Sequence, residues 1–322
     1  MSLSAPARAA TAAGTWTQVS NTVDVPRAGL TYHPSADWFL PAGTAKGLVH
    51  LQHGFSRSNG NLADLAEHYA AAGFVVFAPT LPSAGIFGCT VSNLGNNDPF
   101  LNNVATWLGQ ANSSGGTLAR RPGHTRVIFG VPGLHADGAE ATWTVAWAAA
   151  ENARTGSPLK GQIDAGTLLL TGHSFGGAAG LGLTTGPSTP PFTDVPVPAP
   201  SQLRAAAFYG TDNAAPGSPG IPPVANTVPV ALIQGAADGI GSPANGLGTC
   251  AVLQGVPKLY VSVAGARPDL SPQTLNQAAG VENIARWAAL WLRAQLGDPV
   301  GAAWVYGIGD AVDAGVETQF VR

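Results

Sequence analysis

The residues from Thr167 to Gly177 carry the strongest chemical signal in the chain. An apolar run, Leu168-Leu169-Leu170, leads into Gly172-His173-Ser174-Phe175-Gly176, and the small-residue stretch Gly177 to Gly180 follows. A G-x-S-x-G turn between a strand and a helix forces its serine into a strained backbone conformation and lifts the hydroxyl clear of the sheet. Glycines flank it because strand and helix pass too close for a side chain. A hydroxyl presented in this way is a nucleophile, and the chemistry it serves is acyl transfer through a serine ester. In a chain with 42 glycines the bare pattern arises easily, so the strand before it and the helix after it give it weight. Two further segments end apolar runs with residues able to do chemistry: Leu48 to Gln52 followed by His53-Gly54-Phe55, and Pro229 to Gln234 followed by Gly235-Ala236-Ala237-Asp238. An aspartate in a glycine-rich turn also serves simply as a turn former.

Positioning these groups requires a sheet with helices on its faces. Strand-length apolar runs bounded by Gly and Pro fall at Trp16 to Val23, Gly29 to Tyr32, Gly47 to Gln52, Phe74 to Pro79, Thr167 to Thr171, Leu203 to Tyr209, Val228 to Gln234 and Lys258 to Val263. Helical spacing marks Asn61 to Ala72, Leu101 to Gln110, Ala136 to Asn152, Gly177 to Leu183 and Val281 to Leu296. The alternation predicts an α/β fold with a mostly parallel eight-stranded sheet flanked by helices. The strands continue on either side of the Pro-rich stretches 189–201 and 213–227, which makes these surface loops of one domain over 1–322 rather than linkers. Residues 118–135 read as an insertion before the helix that leads to the central strand. The segment Asp298 to Arg322 has no interpretable motif.

Composition narrows the partners. Hydrophobic residues make up 45% of the chain and charged residues 10%, enough for a large core and incompatible with a disordered chain. A formal charge of -3 supplies no basic footprint for nucleic acid or an anionic membrane. No apolar run approaches the ~18 residues of a membrane-spanning helix, and Met1 to Gly14 lacks the pattern of a signal peptide. The expectation is a soluble protein, and the Ala-rich start leaves the mature end of a secreted one open. Neither a ligand cluster with His or Cys spacing nor a nucleotide-type glycine fingerprint is present, so no metal or organic cofactor is expected. Cys89 and Cys250 both lie in Gly- and Ser-rich sequence; a disulfide and two unrelated thiols remain alternatives.

With these motifs the chain resembles the serine esterases and lipases of the α/β-hydrolase family, nearest the dienelactone-hydrolase-like, chlorophyllase-like and cutinase-like branches, over roughly Gly47 to Leu296. The resemblance implies that His53-Gly54-Phe55 forms an oxyanion loop, with the backbone N–H groups of Phe55 and Phe175 facing the tetrahedral oxyanion. Such donors act where charge develops, and losing one costs ~3 kcal/mol. It implies too that Asp238 is the acid that holds the catalytic imidazole in one tautomer and stabilises its cation. The implied substrate is a small-molecule, lipid or polymer ester, with an apolar rim that Phe55, Phe87 and Phe175 would suit.

One element departs from the family pattern. The histidine should follow the strand Lys258 to Val263, yet this chain writes Gly265-Ala266-Arg267-Pro268-Asp269 there, and all seven histidines, His33, His50, His53, His68, His124, His135 and His173, precede Asp238. Three readings stay open. The base comes from another loop, His135 first and His124 second; Ser174 and its oxyanion donors act on an activated substrate or bind without hydrolysis; or the chain is a degenerate relative that binds a small apolar ligand. His173 reads as structural, because consecutive side chains of such a turn point in different directions.

Overall fold

Strands covered on both faces need no polar alternation, and the inner apolar runs of this chain have none. The computed structural model describes residues 16–22, 25–27, 30–32, 35–54, 57–80, 141–184, 199–211, 224–239, 241–255, 257–266 and 280–319. Its strands are β1 (Trp16–Thr22), β2 (Val25–Arg27), β3 (Leu30–Tyr32), β4 (Ser35–Pro41), β5 (Leu48–Gln52), β6 (Val75–Pro79), β7 (Leu168–His173), β8 (Leu203–Tyr209), β9 (Val224–Ala225), β10 (Val230–Gly235), β11 (Leu253–Gln254), β12 (Lys258–Val263) and β13 (Val316–Gln319). The helices used below are α1 (Ala63–Ala71), α2 (residues 141–153), α3 (Phe175–Thr184), α4 (Pro243–Val252), α5 (Val281–Gln295) and the short α6 (Pro299–Ala303).

Nine strands form one mixed sheet in the order β1-β4-β6-β5-β7-β8-β10-β12-β13. The six inner strands from β6 to β12 are parallel, and the edges are antiparallel: β1 with β4, β4 with β6, and β13 with β12. The α/β class holds, whereas the expected count of eight is corrected. Seven of the expected strands join this sheet. The eighth, over Leu30–Tyr32, pairs instead with Val25–Arg27 in a separate ribbon. β4 and β13 escape a search for apolar runs, because β4 carries Asp37 amid its apolar residues and β13, Val-Glu-Thr-Gln, buries only its first residue.

Alternate residues feed two apolar layers. Val49, Leu51, Leu169, Ala207 and Ile233 pack with α1 and α5 on one face. Leu48, Leu168, Leu170, Phe208 and Leu232 pack with α2 and α3 on the other. The amphipathic α5 starts with Glu282 in its first turn and ends with Arg293 in its last, the charge order a helix dipole favours. Gly297, at φ +79, then reverses the chain, and Asp298 caps α6 by accepting from the amides of Val300 and Gly301. α4 escapes a search for helical apolar spacing, since its first six residues are Pro-Ala-Asn-Gly-Leu-Gly. Its Cys250 is a free thiol buried in the second apolar layer, where burial pushes it up to about 11. Cys89, the helix expected over Leu101 to Gln110, the insertion at 118–135 and most of both Pro-rich loops lie outside the described residues. Among the described residues no helix is long and apolar enough to cross a membrane.

Besides Asp298, which accepts from Arg293 at 2.8 Å, a second carboxylate ties the C-terminal segment to α5. Asp313 accepts from the buried indole of Trp287 at 2.7 Å and from Arg286 at 2.7 and 2.8 Å. Asp313→Ala strands the indole N–H in an apolar layer and lowers unfolding stability by about 2 kcal/mol, whereas Asp313→Asn, which keeps an acceptor, loses less; urea titration distinguishes the two.

Candidate active site

The strain expected at the turn falls on the serine itself. Ser174 has φ +52, the one positive value at a non-glycine position among the described residues. It sits between the end of β7 and the first residue of α3, half-buried between the buried His173 and Gly176. Its N–H donates to the Tyr209 carbonyl at 2.9 Å, and its own carbonyl accepts from the Ala178 N–H at 2.9 Å and the Thr211 hydroxyl at 2.7 Å.

The surrounding glycines answer to space rather than to dihedral angle. A Cβ on Gly172 would stand 2.8 Å from the backbone of Gly176 and Gly177. One on Gly176 would collide with the backbone of Gln52 and His53, one on Gly177 with the Thr211 hydroxyl, and one on Gly180 with the Phe208 ring. Helix α3 therefore starts with its backbone directly on the end of β5 and on the segment after β8. The Phe175 amide belongs to the first turn of α3, where N–H groups have no helical acceptor. Gly54 faces the same point: a Cβ there would lie 3.0 Å from His173 Nδ1 and 3.3 Å from Ser174 Cβ. Phe55, the other expected oxyanion donor, lies outside the described residues.

Asp238 lies just beyond β10, two strands from β7, and is buried. Its Oδ2 accepts from Gln234 Nε2 at 2.7 Å and its Oδ1 from the Gly241 N–H at 3.0 Å, while Gln234 also donates to the Gly241 carbonyl. Gly210, at φ +58, occupies the gap between the two halves of the site. A Cβ added there would be 3.4 Å from His173 Nε2 and 3.6 Å from Asp238 Oδ2. The Gly54 turn, Ser174 and Asp238 thus lie at the carboxyl ends of the parallel strands β5, β7 and β10, the edge where α/β sheets hold their ligands.

Beneath them is a buried polar layer that the sequence reading did not resolve. The His173 ring leans on Tyr209 with centroids 4.7 Å apart, and burial, then the nearby Arg57 and His53, push it down to about 3. Burial likewise pushes His53 down to about 4, and its Nδ1 lies 2.9 Å from the Gly54 carbonyl. Burial and the neighbouring Asp238 raise the Tyr209 phenol. Arg57 is itself buried, its backbone N–H donating to the Gly54 carbonyl. Arg57, Tyr209, Thr211 and Gln234 are the site residues the sequence reading missed. Gln234, a polar residue closing an apolar strand, is the one with a visible signal. His50 belongs to β5, paired through Nδ1 with Thr144 Oγ1 at 2.6 Å, and burial pushes it down to about 3. His68 lies on α1. His124, His135 and the segment Arg267-Pro268-Asp269 lie outside the described residues.

Comparison of the chain with protein-family models and with curated proteins yields no match.

Two outcomes follow from this geometry. Gly176→Ala forces α3 off β5 and destabilises the fold by about 3 kcal/mol, whereas Gly239→Ala, with nothing within 4 Å, changes it by less than about 0.5 kcal/mol; urea unfolding measures both. His50, His53 and His173 bind a proton near pH 6.5 when unfolded but only near 3 to 4 when folded. Their contribution is therefore fully present above about pH 6.5 and is lost as pH falls toward 4. The slope approaches ~1.4 kcal/mol per pH unit for each histidine, and His50→Gln lowers it in urea titrations run at pH 5 to 7.

Proposed function

We propose that the protein is a serine carboxylic-ester hydrolase of the α/β-hydrolase type, acting through an acyl-enzyme on Ser174. The observation that carries this reading is the positive φ of Ser174. A non-glycine residue in that region costs ~1 to 3 kcal/mol and persists only where its surroundings over-determine it, and here the surroundings are glycines at the close approaches of strand and helix. The resemblance of the motifs to serine esterases and lipases points the same way.

In this mechanism Ser174 Oγ attacks the ester carbonyl carbon as a base takes its proton, and the carbonyl oxygen becomes an oxyanion facing the amides of Phe175 and Phe55. Collapse breaks the bond to the alkoxy group, which leaves as the alcohol with the proton from the base. Water, deprotonated by the same base, then attacks the acyl-enzyme and releases the acid. Asp238 orients the base, with Gln234 and the Gly241 amide fixing its carboxylate. His135 is the first candidate for the base and His124 the second. Small, lipid or polymer esters are the substrate class, and the reaction calls for no metal or organic cofactor.

A second reading, a non-hydrolytic member that binds a small apolar ligand, is favoured by one observation: every histidine precedes Asp238 in the chain. The two readings part on hydrolysis of a short-chain p-nitrophenyl ester. The hydrolase reading expects turnover that falls on the order of 10³-fold or more in Ser174→Ala, and comparably in His135→Ala if that imidazole is the base, with both variants folded by circular dichroism. Wild-type turnover equal to that of Ser174→Ala overturns it in favour of ligand binding.

A further inference from the structure

We propose that Thr211 is a positioning residue that sets the direction of the Phe175 oxyanion donor; this rests on the serine-hydrolase reading above. The carbonyl of Ser174 and the N–H of Phe175 belong to one planar peptide unit and point in opposite directions, so whatever anchors the carbonyl aims the amide. The carbonyl accepts the Ala178 N–H at 2.9 Å, the ordinary helical bond, and in addition the Thr211 Oγ1 hydroxyl at 2.7 Å. That second bond comes from outside the helix. Thr211 follows β8, and through Tyr209 the same segment also accepts the Ser174 N–H at 2.9 Å. Both backbone polar groups of the strained residue are thus held by the three residues Tyr209 to Thr211.

The Thr211 hydroxyl is made for this contact. The residue is 3% exposed, so its oxygen is withdrawn from solvent, and its other acceptor, the Tyr209 carbonyl, is farther away at 3.4 Å. Gly177 leaves the space the hydroxyl fills, since a Cβ at that position would overlap Oγ1. Ser174 in a left-handed conformation has no tendency of its own to keep this peptide plane. Losing the hydroxyl therefore lets the plane rotate and takes the amide off the oxyanion position, without removing a substrate contact made in the ground state. An interaction felt only in the transition state changes kcat and leaves KM almost untouched.

Thr211→Ala and Thr211→Ser differ by a single oxygen and form the test, read by ester kinetics and by hydrogen exchange of the full-length protein. In Thr211→Ala we expect kcat to fall about 10- to 100-fold with KM within about threefold, and the Ala178 amide to exchange faster; Thr211→Ser retains most of both properties. Thr211→Val, which keeps the volume without the hydroxyl, takes the place of the alanine variant should that variant not fold. Wild-type kcat and exchange in Thr211→Ala, or equal impairment in Thr211→Ser, overturns the proposal. If the wild-type protein hydrolyses no ester and is not labelled by a fluorophosphonate, the hydrolase reading fails and exchange alone decides the anchor: unchanged protection at Ala178 in Thr211→Ala overturns it, and faster exchange restored by Thr211→Ser upholds it.

Discussion

At the carboxyl end of β7 a helix begins with its backbone pressed against the backbone of the neighbouring strand, with no side chain between them. Gly176 lies on Gln52 and His53, Gly172 on the first turn of α3, and Gly180 on Phe208. This contact fixes the distance from Ser174 to the turn after β5 through main-chain atoms, which have no rotamers to change. It also explains where the strain resides. The glycines take ordinary dihedral angles and supply clearance, while the left-handed conformation falls to Ser174, held through both of its backbone polar groups. Close packing of this kind is intolerant of one extra carbon, and so the site inherits the rigidity of the sheet.

Below Ser174 the protein buries a set of polar side chains whose electrostatics are mutually dependent. His53 and His173 stay neutral because burial opposes their charged forms and the Arg57 guanidinium beside His173 adds to that effect. Asp238 meets the opposite demand. A buried carboxylate must have donors on its oxygens, and Gln234 and the Gly241 amide provide them. The bond from Gly241 is the local turn expected of an aspartate among glycines, whereas the bond from Gln234, which reaches back to the end of β10, is not required by any turn. Asp238 therefore does both: it shapes the loop and is held by the sheet in a fixed orientation.

How far the sequence revealed this depends on the range of each interaction. The Ser174 elbow, the six parallel strands and α5 are written in contiguous stretches, because apolar runs, small residues and helical spacing are local properties. β4 has no such local mark, because its burial arises from covering on both faces, which places Trp38 and Phe39 in opposite apolar layers within a strand that also carries Asp37. α4 was lost because a helix of low intrinsic propensity is held there by packing against β10 and β12. Arg57 and Thr211 carry no local mark at all. Their roles arise from residues far away in the chain, Thr211 meeting the carbonyl of Ser174 and Arg57 lying near His173 and Tyr209.

Chain geometry bears on the imidazole that the proposed hydrolase would require. Thr144 of α2 meets His50 of β5, and Trp147 meets Phe77 of β6, so α2 lies along the face that also carries α3. It belongs to the crossover that leads into β7, and its first described residue is Ala141. His135 precedes Ala141 by six residues, a length that spans at most about 20 Å. His124 is separated by nearly three times as much chain, which imposes no useful limit. A base supplied from before β7 instead of after β12 would keep the order of chemistry and change only the order of the chain, as unrelated serine hydrolases do. Without such an imidazole Ser174 would be a hydroxyl of ordinary reactivity beside an amide aimed at an oxygen, an arrangement that binds a carbonyl group and leaves it intact. The backbone geometry at the elbow is the same for the proposed hydrolase and for the proposed binding protein, and the two readings differ in one side chain.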